Sequence, residues 1–125
     1  ELEKKYGFVM GGCVIRVPAG KNEILEEGRK LKHCVGGYAD RHMRGAVTIL
    51  FMRKVKKPNE PYVTIEMRGN KIMQIHGYRN DIGGENPRTQ HKEFLAAWLN
   101  WLKRGSPQDK QGNPKLPRKE KGAAA

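Results

Sequence analysis

His33 and Cys34 stand side by side in the stretch KHCVGGY, residues 32 to 38, and Glu66, Gln74 and His76 follow further along the chain. A thiol, an imidazole and a carboxylate are the usual material of nucleophilic and acid–base catalysis. Sequence neighbours diverge on a helix or a strand, so His33 is poorly placed to act as the base for Cys34. Cys34 also follows a predicted helix, and the negative end of a helix dipole raises a thiol pKa. If that helix ended early, with Cys34 ahead of the next one, the field would reverse and favour the thiolate. Two readings of Cys34 therefore stand: a small cysteine packed beside Val35, or a nucleophile. Gly36 and Gly37 fit a helix end that needs positive φ, or a close approach of two backbones. The missing Lys-Ser/Thr ending and the lack of a preceding strand argue against a phosphate loop.

Cys13, Cys34, His33, His42, His76 and His91 are the soft metal ligands on offer. No C-x-x-C or H-x-x-x-H pair joins them, so neither a metal nor another cofactor is expected. Asp40, Glu66, Asp81 and Glu85 show no mutual spacing that selects a hydrolytic pair. The catalytic candidates are thus Cys34, Glu66, Gln74 and His76, with Tyr38 or Asn80 to position a substrate.

These side chains need elements to hold them. With 125 residues the chain suits one domain with a single modest core. It begins with Glu1 rather than Met, and so reads as a fragment of a longer protein or a processed product. FVMGGCVIRV, residues 8 to 17, predicts a strand bent or bulged at Gly11-Gly12. Asn22 then caps a predicted helix through EILEEGRKL, with Ile24, Leu25, Gly28 and Leu31 on one stripe and its charges ordered to suit the helix dipole. YADRHMR predicts a short helix closed by Gly45, and AVTILFMRKV, residues 46 to 55, a strand. YVTIEM and KIMQIHG flank Gly69-Asn70 as a hairpin. HKEFLAAWLNWLK predicts a helix whose broad apolar face, including Trp98 and Trp101, covers the sheet. The expected fold is α+β: an antiparallel sheet of about four strands with helices packed on one side. Residues 1–103 form that domain. From Arg104 onward the chain has three prolines, no aromatic residue and one leucine, and is expected to be a flexible basic tail or linker, 104–125.

If Gly69-Asn70 is a two-residue loop in a regular hairpin, counting outward places Glu66 opposite Met73 and Thr64 opposite Ile75. Gln74 and His76 then point to one side of the sheet and Thr64 with Glu66 to the other. Neither side is cleanly apolar, so whichever faces the helices holds a polar group that needs a partner or lines a cleft.

Lys and Arg number 25 against 13 Asp and Glu, a formal net charge of +12. The six basic and two acidic residues of the tail carry +4 of this, so the folded part is itself basic. Such charge attracts polyanions, of which nucleic acid is the commonest. Arg41, Arg44, Arg53, Lys54, Lys56, Lys57, Arg68, Lys71 and Arg79 are the expected phosphate contacts. No signal-peptide order and no membrane-length apolar run is present, and with two cysteines the expectation is a reduced, cytoplasmic protein with no membrane partner.

PAGKNEILEEGRKLKHCVGGYADRHMRGAVTILFMRK, followed by PYVTIEMRGNKIMQIHGYRND, resembles the PcfJ-like domain over residues 8 to 100. The residues that carry the resemblance are Glu27, Gly28, Leu31, His33, Cys34, Val35, Gly36 and Tyr38, then Arg53 and Lys54. Pro61, Thr64 and Glu66 follow, and then Gln74, Gly77 and Asn80. The family pattern admits Asn where His33 stands, which argues against an obligatory imidazole there. The resemblance implies a setting on conjugative plasmids, phages and related mobile elements, often within larger polypeptides, and implies no particular reaction. The leading expectation is a nucleic-acid-binding accessory module of a mobile element that contacts DNA or RNA through a basic face. The alternatives are an enzyme on nucleic acid or nucleotide with a pocket around Cys34, Glu66, Gln74 and His76, and a protein-interaction module docking on an acidic partner.

Overall fold

A computed structural model describes residues 2–31, 39–77 and 86–116. Helix α1 (Leu2–Tyr6) leads into strands β1 (Phe8–Met10) and β2 (Cys13–Arg16). Helices α2 (Lys21–Leu31) and α3 (Ala39–Met43) come next, then β3 (Thr48–Lys54), β4 (Val63–Arg68) and β5 (Lys71–His76). Helices α4 (Pro87–Gln90) and α5 (Lys92–Lys103) complete the set. The five strands form one antiparallel sheet in sequence order, each paired with its neighbours in the chain.

The α+β class expected from the sequence is what the chain adopts, with two differences of detail. Gly11-Gly12 does more than bend a strand: Gly11 takes φ 59° at the first position of a two-residue turn, a conformation glycine reaches without steric cost. Met10 then pairs with Cys13 and Phe8 with Ile15, so one expected strand becomes a hairpin and the sheet has five strands. Helices also lie on both faces of the sheet rather than one. The reason is in β3, where Ile49, Leu50, Phe51 and Met52 are all buried. An apolar run without alternation is the pattern of a strand covered on both sides.

On one face α5 lays Phe94, Leu95, Trp98, Trp101 and Leu102 over Phe8, Ile15, Leu50, Met52, Ile65 and Met67. Both tryptophans are fully buried, and each satisfies its indole N–H: Trp98 donates to the Tyr6 carbonyl at 2.9 Å and Trp101 to the Pro107 carbonyl at 2.7 Å. Helix α1, too short to show a period in the sequence, is anchored here by Tyr6, whose hydroxyl donates to the Gly69 carbonyl. The first part of the basic tail lies along α1: Ser106 Oγ donates to the Lys5 carbonyl at 2.6 Å, and Gln108 Nε2 to the Lys4 carbonyl at 2.7 Å. On the other face, Ile24 of α2 and Ala39 of α3 pack with Val47, Ile49 and Phe51. A Lys21–Asp40 ion pair at 2.8 Å ties the two helices together.

The β4–β5 hairpin turns at Gly69-Asn70 as expected, with Arg68 opposite Lys71 and Met67 opposite Ile72. Beyond that the register departs from simple counting. Glu66 pairs with Gln74, Ile65 with Ile75 and Thr64 with His76, leaving Met73 as the extra residue of a β-bulge. One bulged residue shifts everything past it to the other face. Among the described residues no helix is long and apolar enough to cross a membrane.

Candidate functional site

The bulge at Met73 decides which polar residues meet. Partners across a ladder share a face, so Thr64, Glu66, Gln74 and His76 all lie on the side covered by α2 and α3. Regular counting put Gln74 and His76 opposite Thr64 and Glu66; the bulge brings the four together. No feature of KIMQIH advertises a bulge, and only the surplus of one apolar residue between Ile72 and Ile75 hinted at it.

At the centre of this face is a buried ion pair. Arg53 reaches the Glu27 carboxylate through both terminal nitrogens, at 3.0 and 2.5 Å, and Thr64 Oγ1 donates to Glu27 Oε2 at 2.9 Å. The two charged side chains are 2% and 1% exposed. A bidentate fork of this kind is the arrangement in which a buried carboxylate is best compensated. Arg53 also lies over the Phe51 ring, 4.5 Å from its centroid, with Arg16 5.2 Å from the same ring. Arg16 in turn grips Glu23 at 3.1 and 3.0 Å, and Glu23 reaches back to the Ala19 amide at the start of α2. The Arg16 hydrogen bonds hold the Glu23 carboxyl below its ordinary pKa.

Arg53 is thus a correction to the expected phosphate contacts: its guanidinium is committed to Glu27 in the interior. The sequence signal was its place in β3, two residues after Phe51 and on the same face. Glu27 lies three residues after Ile24 and four before Leu31, on the buried stripe of α2. Leu25, assigned to that stripe from the sequence, is exposed instead.

Glu66 is different. Its side chain is 8% exposed, yet its only ion-pair partner among the described residues is Arg68 Nε, at 3.9 Å and beyond hydrogen-bond reach. Gln74, directly across the ladder, is exposed, and His76 is half-buried. His42 of α3 closes the other side of the face by accepting the Ile49 N–H at Nδ1, 2.9 Å away. Burial holds the His42 pKa below its ordinary value, so the ring stays neutral with its proton on Nε2.

A second cluster sits at the end of the sheet where β2 begins and β3 finishes. Cys13 Sγ lies 3.8 Å from His91 Nδ1, and His91 Nε2 lies 2.6 Å from the Tyr62 hydroxyl. Lys54 stands over the Tyr62 ring at 4.8 Å. Burial raises the Cys13 thiol pKa against the opposing pull of Lys54, and burial lowers that of His91. The pair is therefore a neutral thiol beside a neutral imidazole. Among the described residues no group of three or more His, Cys, Asp or Glu is arranged to hold a metal ion.

Lys54, Lys56 and Lys57 are exposed where β3 ends, Arg68 and Lys71 flank the hairpin turn, and Arg41 and Arg44 are exposed at α3. Among the described residues Glu3, Asp40, Glu60, Glu93 and Asp109 are exposed, Glu23 and Glu26 are partly exposed, and Glu27 and Glu66 are buried. Glu27 and Glu23 are each matched by an arginine, so the basic surface comes from the excess of exposed lysines and arginines over exposed acids. Of the remaining sequence candidates, Gly77 is buried next to β5, and His33, Cys34, Gly36, Tyr38, Arg79 and Asn80 lie outside the described residues.

A family model described as PcfJ-like protein matches residues 1–93. The chain is also 36% identical over 85 residues to the uncharacterized protein Lin1253/Lin1744 of Listeria innocua serovar 6a. That match takes in 64% of this chain and spans 17% of the length of the relative. No solved structure matches the chain.

Proposed function

The chain belongs to the PcfJ-like family, and from that premise we propose that it acts as a nucleic-acid-binding accessory module of a mobile genetic element, within plasmid transfer or a phage. The observation that carries this reading is the exposed charge: among the described residues, exposed lysines and arginines far outnumber exposed acids, and Glu27 and Glu23 are each taken up by an arginine. Lys54, Lys56 and Lys57 at one end of the sheet and Arg68 and Lys71 at the other are the phosphate contacts, with Arg41 and Arg44 beside them. Contacts of this kind set affinity and register without reading sequence. The reading implies a cytoplasmic setting, in which the Cys13 thiol would stay reduced.

Fluorescence anisotropy with single- and double-stranded DNA and RNA across a salt series tests it. Binding should weaken with a log–log slope of about 0.7 to 0.9 per phosphate contact. Replacing Lys54, Lys56 and Lys57 by Gln should flatten that slope by roughly this amount for each lysine. A chain that binds no nucleic acid at low salt, or whose slope ignores these lysines, ends the proposal and turns attention to an acidic protein partner.

A second reading, an enzyme acting on nucleic acid or nucleotide, is favoured by the meeting of Thr64, Glu66, Gln74 and His76 on one face. It predicts turnover that Glu66→Ala and Gln74→Ala abolish with the fold intact. Binding without turnover would leave the module alone.

A further inference from the structure

We infer that a cleft between α1, the β4–β5 turn and the end of α5 binds phosphate groups, those of a nucleic-acid strand or of a free nucleotide. The inference rests on the nucleic-acid reading above and gives it a phosphate site apart from the basic groups named there. The cleft has a volume of about 520 Å³, and its lining includes Lys4, Lys5, Asn70, Ser106 and Gln108. Among the described residues no Asp or Glu lines it, and neither lysine makes an ion pair. Glu3, their neighbour in α1, is turned toward the end of β2, where it accepts the Val17 amide at 3.4 Å. Two ammonium groups facing one cleft without a counter-charge repel each other, and a bound anion relieves that repulsion.

The walls of the cleft are held in place. Tyr6 donates its hydroxyl to the Gly69 carbonyl at 2.8 Å, which fixes α1 against the turn that carries Asn70. Ser106 Oγ and Gln108 Nε2 donate to the Lys5 and Lys4 carbonyls at 2.6 and 2.7 Å, which fixes the start of the tail against α1. Lys5 Nζ stands 5.0 Å from the centroid of the Tyr6 ring, a cation–π contact that limits where its charge can lie. The last carbonyls of α5 do not confront an anion with unpaired acceptors. Those of Asn100, Trp101 and Leu102 take the amides of Arg104, Gly105 and Ser106. Ammonium point charges set beside the carboxamides of Asn70 and Gln108 suit phosphate oxygens, which accept from both. Walls already ordered lower the entropy lost on binding. Arg68 and Lys71 flank Gly69-Asn70, so the cleft adjoins the phosphate contacts of the hairpin.

The test uses the full chain with two probes, a labelled single-stranded thymidine oligonucleotide and ATP. Anisotropy follows the strand across a salt series, and calorimetry follows ATP. Lys4→Gln with Lys5→Gln, both at exposed positions, should weaken binding and lower the salt slope of the strand by about 0.7 for each lysine. Lys30→Gln with Lys92→Gln removes the same charge from exposed positions elsewhere and should leave the affinity and the slope close to those of the unaltered chain. Gln108→Ala removes no charge and should still weaken binding, with a thermal melt confirming that each variant is folded. A loss confined to the strand assigns the cleft to backbone phosphates, and a loss of ATP binding assigns it to those of a free nucleotide. Equal losses in the two double variants, or no loss in the Lys4 and Lys5 pair, overturn this inference while the general binding module stands. ATP bound through Lys4 and Lys5 by a chain that binds no strand keeps the cleft and ends the module. A chain that binds neither probe overturns both.

Discussion

Glu27 and Arg53 share a site from which water is excluded, so removing either partner strands the other. Glu27→Ala should destabilise the fold by about 3–5 kcal/mol, read as a lower urea midpoint. Replacing both together, Glu27→Leu with Arg53→Met, should recover most of that loss, because well-packed apolar residues often match a buried ion pair. His42 makes a different prediction, set by pH. Its folded pKa lies below the ordinary value of 6.5, because burial disfavours the charged ring. Above that value neither state holds the proton and stability is unaffected. As pH falls through 6.5 the unfolded chain takes up a proton that the folded chain resists, so stability falls. His91, also depressed by burial, acts in the same sense. His42→Asn keeps an acceptor near Nδ1 for the Ile49 amide and removes the proton. Urea melts between pH 7 and pH 5 should therefore show a shallower decline in that variant.

At the level of elements, the β4–β5 hairpin carries the most information, since its register decides which polar groups meet. Deleting Met73 should convert β5 to a regular strand without moving Gln74, Ile75 or His76 to new faces, and the variant should still unfold cooperatively. Deleting Ile75 instead would send His76 toward the core under α5 and should abolish cooperative unfolding in a thermal melt. The contrast shows what was readable beforehand. The Gly69-Asn70 turn, the short α3 and the tryptophan face of α5 follow from local rules of turn chemistry and periodicity, and the structure has them. The bulge does not, because an extra residue in one strand is stabilised by pairing and packing with the rest of the sheet. The same holds for the Gly11-Gly12 hairpin: glycine permits a bend and a reversal equally well, and pairing of β2 with β3 selects the reversal. Of the candidate site, residue types were legible from the sequence. Their shared face, and the withdrawal of Arg53 into the interior, depended on tertiary register and on Glu27 lying 26 residues earlier.

Across the whole molecule, the two faces of the sheet are closed by different parts of the chain, α2 with α3 on one and α5 with α1 on the other. The start of the basic tail belongs to the second closure through Ser106, Pro107 and Gln108. Ending the chain after Lys103 should therefore cost about 1–3 kcal/mol, chiefly from the Trp101 indole left without its acceptor. The order of closure also bears on synthesis. Strands that pair only with sequence neighbours can zip together as they leave the ribosome, but the Trp98–Tyr6 bond spans 92 positions. A nascent chain that has just completed β5 thus carries a finished meander with one oily side bare. Until Lys92–Lys103 has left the ribosome, that side has no α5 to cover it.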